Sequence, residues 1–537
     1  MFRKLTYCLR FVRGYYSKST IISVCAALFL SVAIGSIYSL HNNYQSDYTS
    51  FALRASDNAT AISTPSLSKN DIQLYAQIFR AQKAANWAQA DEYLAKLSDD
   101  ILLPDILLER YTHRHYDSTA EEVSLWLKNY SYHPEAYKLV ELARHKFPAL
   151  ATKFSAVEKP RRLTGYGDAS NEDLRFEDDN HSQLAIWQNG LDAWRKGNKT
   201  EAAKLFSELA KQDGELSSWQ YAAANFWAHR AQSALGNSAS AAKYLAQAAR
   251  EPRVFYGILA RKQLGKSLEL DTQKLSISER DMAALLEKSE VRRIIALAQS
   301  GQNEKAETAM RQLFPAAEKP EKFALLALAN QLRLSAVQIS MANQLESDDR
   351  QLDALKFPVP KWQPEGGFSI DPALIYALMR QESGFNSSAI GVGGSLGLMQ
   401  LMPNTAKIMQ SAKSKNIGKN TGEHASEPNT NTTLGERYVA HLLNNGLVNG
   451  NLFYMLAAYN AGAGRLKDWQ EEIDYNDDPL LFVESIPYST TRFYVLQVMT
   501  NYWMYSELYG KRTSSVSALL NNQWPIYKTE NIATARK

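Results

Sequence analysis

One glutamate, Glu382, ends a short apolar pattern just before a glycine-rich turn, within DPALIYALMRQESGFNSSAIGVGGSLGLMQLMPNTA from Asp371 to Ala406. Asp371 is suited to cap a helix and Pro372 to occupy its first position, while Ser383 and Gly384 are suited to stop it. Ile375, Leu378 and Glu382 are spaced by three and four, so the carboxylate shares a stripe with apolar side chains. Two effects then raise its proton affinity: apolar surroundings disfavour the charged form, and the negative end of the helix dipole repels it. A general acid working near neutral pH is the expected chemistry.

Three further blocks follow in order: GLMQLMP from Gly397, AAYNAGAG from Ala457 and ESIPYSTTRFYV from Glu484. Together with Glu382-Ser383 they resemble the catalytic domain of the soluble-type lytic murein transglycosylases, which have a goose-type-lysozyme-like fold and cleave peptidoglycan glycan strands. Most glycosidases place two carboxylates about the scissile bond, whereas the matched motif supplies one. The resemblance implies that Glu382 first protonates the oxygen between N-acetylmuramic acid and N-acetylglucosamine. It then deprotonates the sugar's own C6 hydroxyl, whose attack on C1 gives a 1,6-anhydromuramoyl product without water. A lysozyme-type hydrolase on the same fold and a catalytically silent glycan-binding scaffold are the alternatives.

By motif position the resemblance also implies substrate contacts for Gln400, Met402, Tyr459 and Asn460, and a substrate-side or supporting role for Glu484. The sequence departs from the family at three places. Gly391 stands where a sugar-anchoring serine is usual, Ser395 replaces an alanine and so offers a hydroxyl nearby, and Thr490-Thr491-Arg492 replaces Glu-Thr-Arg. Losing one sugar hydrogen bond costs about 1 kcal/mol, so these changes bear on subsite affinity more than on the reaction.

Such a site needs elements to hold it. At 537 residues the chain requires several domains. From Asn70 to about Asp348 the pattern is helical almost throughout. AWRKGNKTEAAKLFSELA, RAQSALGNSASAAKYLAQAA and IIALAQSGQNEKAETAMRQLF each place a glycine, Gly197, Gly236 or Gly301, between two amphipathic helices. These read as irregular tetratricopeptide-like hairpins stacked on a shared seam. ILLPDILLERY from Ile101 and FYGILA from Phe255 extend the resemblance to the family's α-superhelical domain. The chain before Glu382 is shorter than in the long members, which leaves an incomplete ring or open arch as an expectation. The fold class is therefore mainly α: an N-terminal α-superhelix over 70–356, a proline- and glycine-rich connection over 357–370, and a lysozyme-like catalytic domain over 371–537. Polar stretches mark a linker over 47–69, a loop over about 158–180 and a surface loop over about 411–433.

Residues 1–46 carry Arg3, Lys4, Arg10, Arg13 and Lys18, then an uncharged run from Ser19 to Leu40. This is an export signal or N-terminal membrane anchor, and the length of the run favours the anchor. Both cysteines, Cys8 and Cys25, lie there, so disulfides and zinc-thiolate sites are excluded from the rest. The histidines show no metal-ligand spacing, and no cofactor or metal is expected. A net charge of +4 argues against a nucleic-acid binder. The expected partners are peptidoglycan strands, cell-wall proteins on the helical domain, and the inner membrane if the N-terminal segment is retained. The expected location is the periplasm of a Gram-negative bacterium.

Overall fold

The computed structural model describes residues 67–528 apart from 155, 166–180, 213, 274, 276, 348–349 and 412–424. The export or anchor segment 1–46, nearly all of the 47–69 linker and much of the two polar loops lie outside the described residues. Among the described residues, regular structure is helical, with only isolated β-bridges such as Ile390 to Leu396 and Leu396 to Leu401. No described helix is long and apolar enough to cross a membrane.

The three glycines separate helix pairs. Gly197 lies between His181–Arg195 and Lys199–Leu209, Gly236 between Ser218–Ala234 and Ser238–Ala248, and Gly301 between Ser289–Gln299 and Asn303–Leu313. Each adopts a left-handed backbone, with φ of 75°, 76° and 82°, a conformation that is strained for residues with a Cβ. After Gly197, Asn198 turns the chain into the next helix by accepting from the Glu201 N–H.

Packing joins these hairpins into two large bodies. The helices over 181–268 share one continuous apolar core with the C-terminal domain over 371–537, including Trp227, Phe255, Tyr376, Phe453 and Trp503. The first helices, over 67–106, share a second core with those over 285–355, and residues 108–151 form a small satellite core. The helical path therefore returns to its own start instead of ending as an open arch. What closes it is specific: Arg293 donates to Asp105 at 2.8 and 2.6 Å in a buried two-pronged pair, flanked by Lys305 and Glu109 at 2.6 Å.

The seam against the catalytic domain is equally defined. Phe255 stacks on Trp503 at 4.9 Å, and the Tyr256 hydroxyl donates to Glu484 at 2.6 Å. Trp194 Nε1 and Arg230 both donate to Asp478. Burying one large aromatic such as Phe255 contributes about 1.5–3 kcal/mol, so the seam stabilises both bodies as well as joining them. A second contact reaches the loop after Glu382, where the Ser387 hydroxyl donates to Glu304 at 2.8 Å.

The polar stretch expected to be a surface loop to residue 433 is helical and partly buried at its end. A helix runs Pro428–Leu443, with Pro428 in the first turn. Asn431 and Thr432 are fully buried there. Thr432 and Thr433 donate to carbonyls four residues back, and Asn431 is completely engaged, which removes the usual cost of burying such residues.

Candidate functional site

The acid helix runs Pro372–Ser383, capped by the Asp371 side chain on Ala373 N and ended by Gly384 at φ 54°. Ile375, Leu378 and Met379 are fully buried, so the helix is held on its apolar side and delivers Glu382 at its last turn. Glu382 itself keeps part of its surface open to solvent. Burial of the carboxylate raises its pKa to about 7, against the opposing effect of a hydroxyl hydrogen bond from Tyr494 at 2.5 Å. An acid of this kind is protonated about half the time at neutral pH, so it can give a proton and take one back.

Two tyrosines stand over the acid. The Tyr459 and Tyr494 rings lie parallel with centroids 6.5 Å apart, and Tyr438 packs on Tyr459 at 5.2 Å. Burial, and then the nearby Glu382 charge, hold both phenols well above the ordinary range, so they act as donors. Tyr459 donates to the Met399 carbonyl at 2.7 Å, which ties the helix Leu452–Ala461 to the loop after Glu382.

That loop is built by its own side chains. Ser383 Oγ donates to the Leu398 carbonyl at 2.9 Å, and Asn431 accepts from Met399 N while donating to the Leu396 and Ala425 carbonyls. Gln400 sits at φ 44°, a left-handed conformation uncommon outside glycine, and its amide donates to the Ala389 and Gly397 carbonyls. The Ser395 hydroxyl donates to Gln400 Oε1 at 2.8 Å. A Cβ added at Gly391 would meet Ser395 Oγ at 2.2 Å and Gln400 Oε1 at 2.5 Å. The Ser395 hydroxyl thus fills the space beside Gly391, where any larger residue would displace it from Gln400.

The structure gathers Glu382, Gln400, Ser395 and Tyr459 about one loop. Met402 lies at its end and is 46 % exposed, with Ile390 and Val392 also facing solvent. Asn460 is exposed, and its Oδ1 accepts from the Thr491 hydroxyl at 2.7 Å. Glu484 is placed differently. Its carboxylate is buried in the seam with the helical domain, bonded to Tyr256 and near Arg492, and burial raises its pKa. Position in the motif says nothing about which neighbour a carboxylate meets, and here the neighbour is over 200 residues away in sequence.

Tyr494 and Asn431 are the two residues that sequence reasoning missed. Tyr494 lies in one of the matched blocks, but a tyrosine inside an apolar helix carries no sign that its hydroxyl reaches a carboxylate. Asn431 sits in a run of Asn and Thr that reads as solvated loop.

Residues 363–480 match the model of the transglycosylase SLT domain. The soluble lytic murein transglycosylase of Escherichia coli K12 is 29% identical over 327 residues, covering 60% of this chain and 48% of the relative. That of Salmonella typhimurium is 28% identical over 332 residues, covering 62% and 49%. The chain thus spans about half the length of the curated relatives it matches. In three dimensions it resembles the 70 kDa soluble lytic transglycosylase of E. coli, with a TM-score of 0.57 at 18% identity over 85% of this chain and 99% of that one, which shows a common fold.

Proposed function

We propose that this chain, which is similar to the soluble lytic murein transglycosylases, cleaves the β-1,4 bond between N-acetylmuramic acid and N-acetylglucosamine in peptidoglycan without water. The observation that carries the reading is a partly open carboxylate poised near pH 7 and held by a tyrosine hydroxyl. A hydrolase needs a group to activate water or act as nucleophile. A transglycosylase needs one group that gives a proton to the leaving oxygen and then removes one from the C6 hydroxyl of the same sugar.

Glu382 fills both roles in turn. Protonated, it donates to the glycosidic oxygen as that oxygen's bond to C1 breaks; ionised, it accepts the proton of the C6 hydroxyl as the hydroxyl oxygen bonds to C1. Proton count is restored at the end of the cycle. Tyr494 holds the carboxylate in one orientation throughout. The loop pinned by Gln400, Ser395 and Asn431 presents Met402 and neighbouring apolar side chains to the sugar faces, and Asn460 offers its exposed amide. The work belongs to cell-wall remodelling in the periplasm, at the inner membrane if the N-terminal segment is retained.

Mass spectrometry of muropeptides released from purified sacculi tests the reaction. Products lighter by one water than those of a lysozyme digest are expected, and products with a free reducing end would assign a hydrolase instead.

A separate result is expected for Tyr494→Phe. The hydroxyl lowers the Glu382 pKa, so its removal raises that pKa further above the ordinary value of a glutamate. The protonated acid is the form that starts the reaction, so the descending limb of kcat/KM near pH 7 should move to higher pH, with kcat reduced about tenfold through lost orientation. A limb that stays in place or moves to lower pH would show that Tyr494 does not act on the acid.

A further inference from the structure

The helical domain, the connecting segment and the catalytic domain meet around a second cavity of about 1040 Å³, which Glu382 does not line. Its size suits a ligand of several residues. The walls come from the stretch 161–165, the helix Ser335–Leu345, the connection at Lys356 and Phe357, and one face of the long helix Ser489–Leu508. Gln497 and Asn501 lie three and seven residues beyond Tyr494 on that helix, so the cavity starts about 5–10 Å along its axis from the tyrosine that holds the acid.

Its chemistry is one-sided. Among the described residues, five cations line it against two carboxylates. Arg253 and Lys356 are matched by Asp353 and Glu346, each at 2.6 or 2.5 Å. Arg380 lies over the Phe357 ring at 4.3 Å and donates to the Lys356 carbonyl. Arg161 and Arg162 are exposed and have no ion pair among the described residues. Beside these cations, Gln497 is only 9 % exposed, and its Oε1 has no donor. Other buried amide oxygens, such as those of Asn225, Gln247 and Gln299, also lack a donor, but that of Gln497 belongs to a residue lining this cavity, where a ligand could supply one.

We propose that this cavity binds a short carboxylate-bearing peptide. The arginines suit carboxylates, and Gln497 Oε1 suits a peptide N–H. A fully ionised inorganic anion would satisfy the first and not the second. Two sources fit this chemistry: the peptide stem of a strand held at Glu382, or the same peptide free in solution as an effector. The first rests on the proposed reaction, the second does not.

Titration of the full chain with the tripeptide L-Ala–γ-D-Glu–meso-diaminopimelate, followed by calorimetry, tests the site without any turnover. Saturable binding is expected for the wild type and equally for Glu382→Gln. It should weaken about tenfold in the double variant Arg161→Ala/Arg162→Ala and in Gln497→Leu, both checked for native circular dichroism, and fade with added salt. No saturable binding to the folded wild type, or unchanged affinity in both variants, would overturn the proposal. The sources then separate by kinetics. If the stem on the strand is the ligand, the double variant loses its preference for stem-bearing over stem-stripped strands while cleaving stripped strands at the wild-type rate. If the free peptide is, that preference is unchanged, and added tripeptide alters the rate of the wild type but not of the variant. A wild type that binds tripeptide and cleaves no strand would refute the proposed reaction and leave this site standing.

Discussion

Glu382→Gln is expected to lower kcat/KM for strand cleavage on the order of 10⁴-fold while leaving affinity for intact strands within about twofold. Glutamine keeps the size of the side chain and can still accept from Tyr494, so the last turn of the acid helix has no reason to move. What it lacks is an exchangeable proton in the pH range where Glu382, pushed up to about 7 by burial, passes between its two forms. The mechanism asks one group for both proton transfers, so no other residue compensates. Co-sedimentation with sacculi, beside release of muropeptides, checks both halves of the expectation. Residual turnover within tenfold of the wild type would remove Glu382 from the reaction, and parallel loss of binding would give it a structural task instead.

The second large effect concerns stability. Arg293→Met is expected to cost about 3–5 kcal/mol, because it strands a buried carboxylate. Asp105 is 2 % exposed and Arg293 8 % exposed, and His133 lies 3.6 Å from the same carboxylate. Burial is the largest influence and raises the Asp105 pKa, but the hydrogen bonds and charges of Arg293 and His133 together outweigh it and hold the carboxylate well below its usual range. A depressed folded-state pKa contributes stability that is present above the unfolded-state value near 4 and is lost as pH falls towards the folded one. In the variant the stranded Asp105 takes up a proton more readily, so its deficit should narrow as pH is lowered from about 7 to about 4. Urea unfolding followed by circular dichroism measures this. A loss under about 1 kcal/mol, or a deficit independent of pH, would mean that the pair does not close the helical path. Adding Asp105→Leu to Arg293→Met should recover much of the loss, since an apolar pair carries no uncompensated charge.

The second prediction draws on a segment whose importance is visible in the sequence and whose partner is not, as does the seam with the helical domain. ILLPDILLERY stands out from its surroundings, yet nothing in it shows that Asp105 meets Arg293, 188 positions away. FYGILA places Phe255 and Tyr256 in an apolar helix, yet not against Trp503 and Glu484. The acid helix is the opposite case. Its cap, first proline, apolar stripe and terminal glycine are contacts within one short segment, and local spacing is enough to read them.

The sequence by itself determined the helical class, the glycine-centred hairpins, the position of a single acid at a helix end and the order of the blocks around it. These follow from backbone preferences and from periodicities of three and four residues, which act between near neighbours. Only the tertiary structure decided that Tyr494 reaches the acid, that Ser395 occupies the space left by Gly391, that Glu484 turns to the helical domain, and that the helical path closes through Arg293. Each of these depends on which surfaces meet after the chain has packed, and a side chain's polar partner across such a meeting leaves no period in the sequence to read.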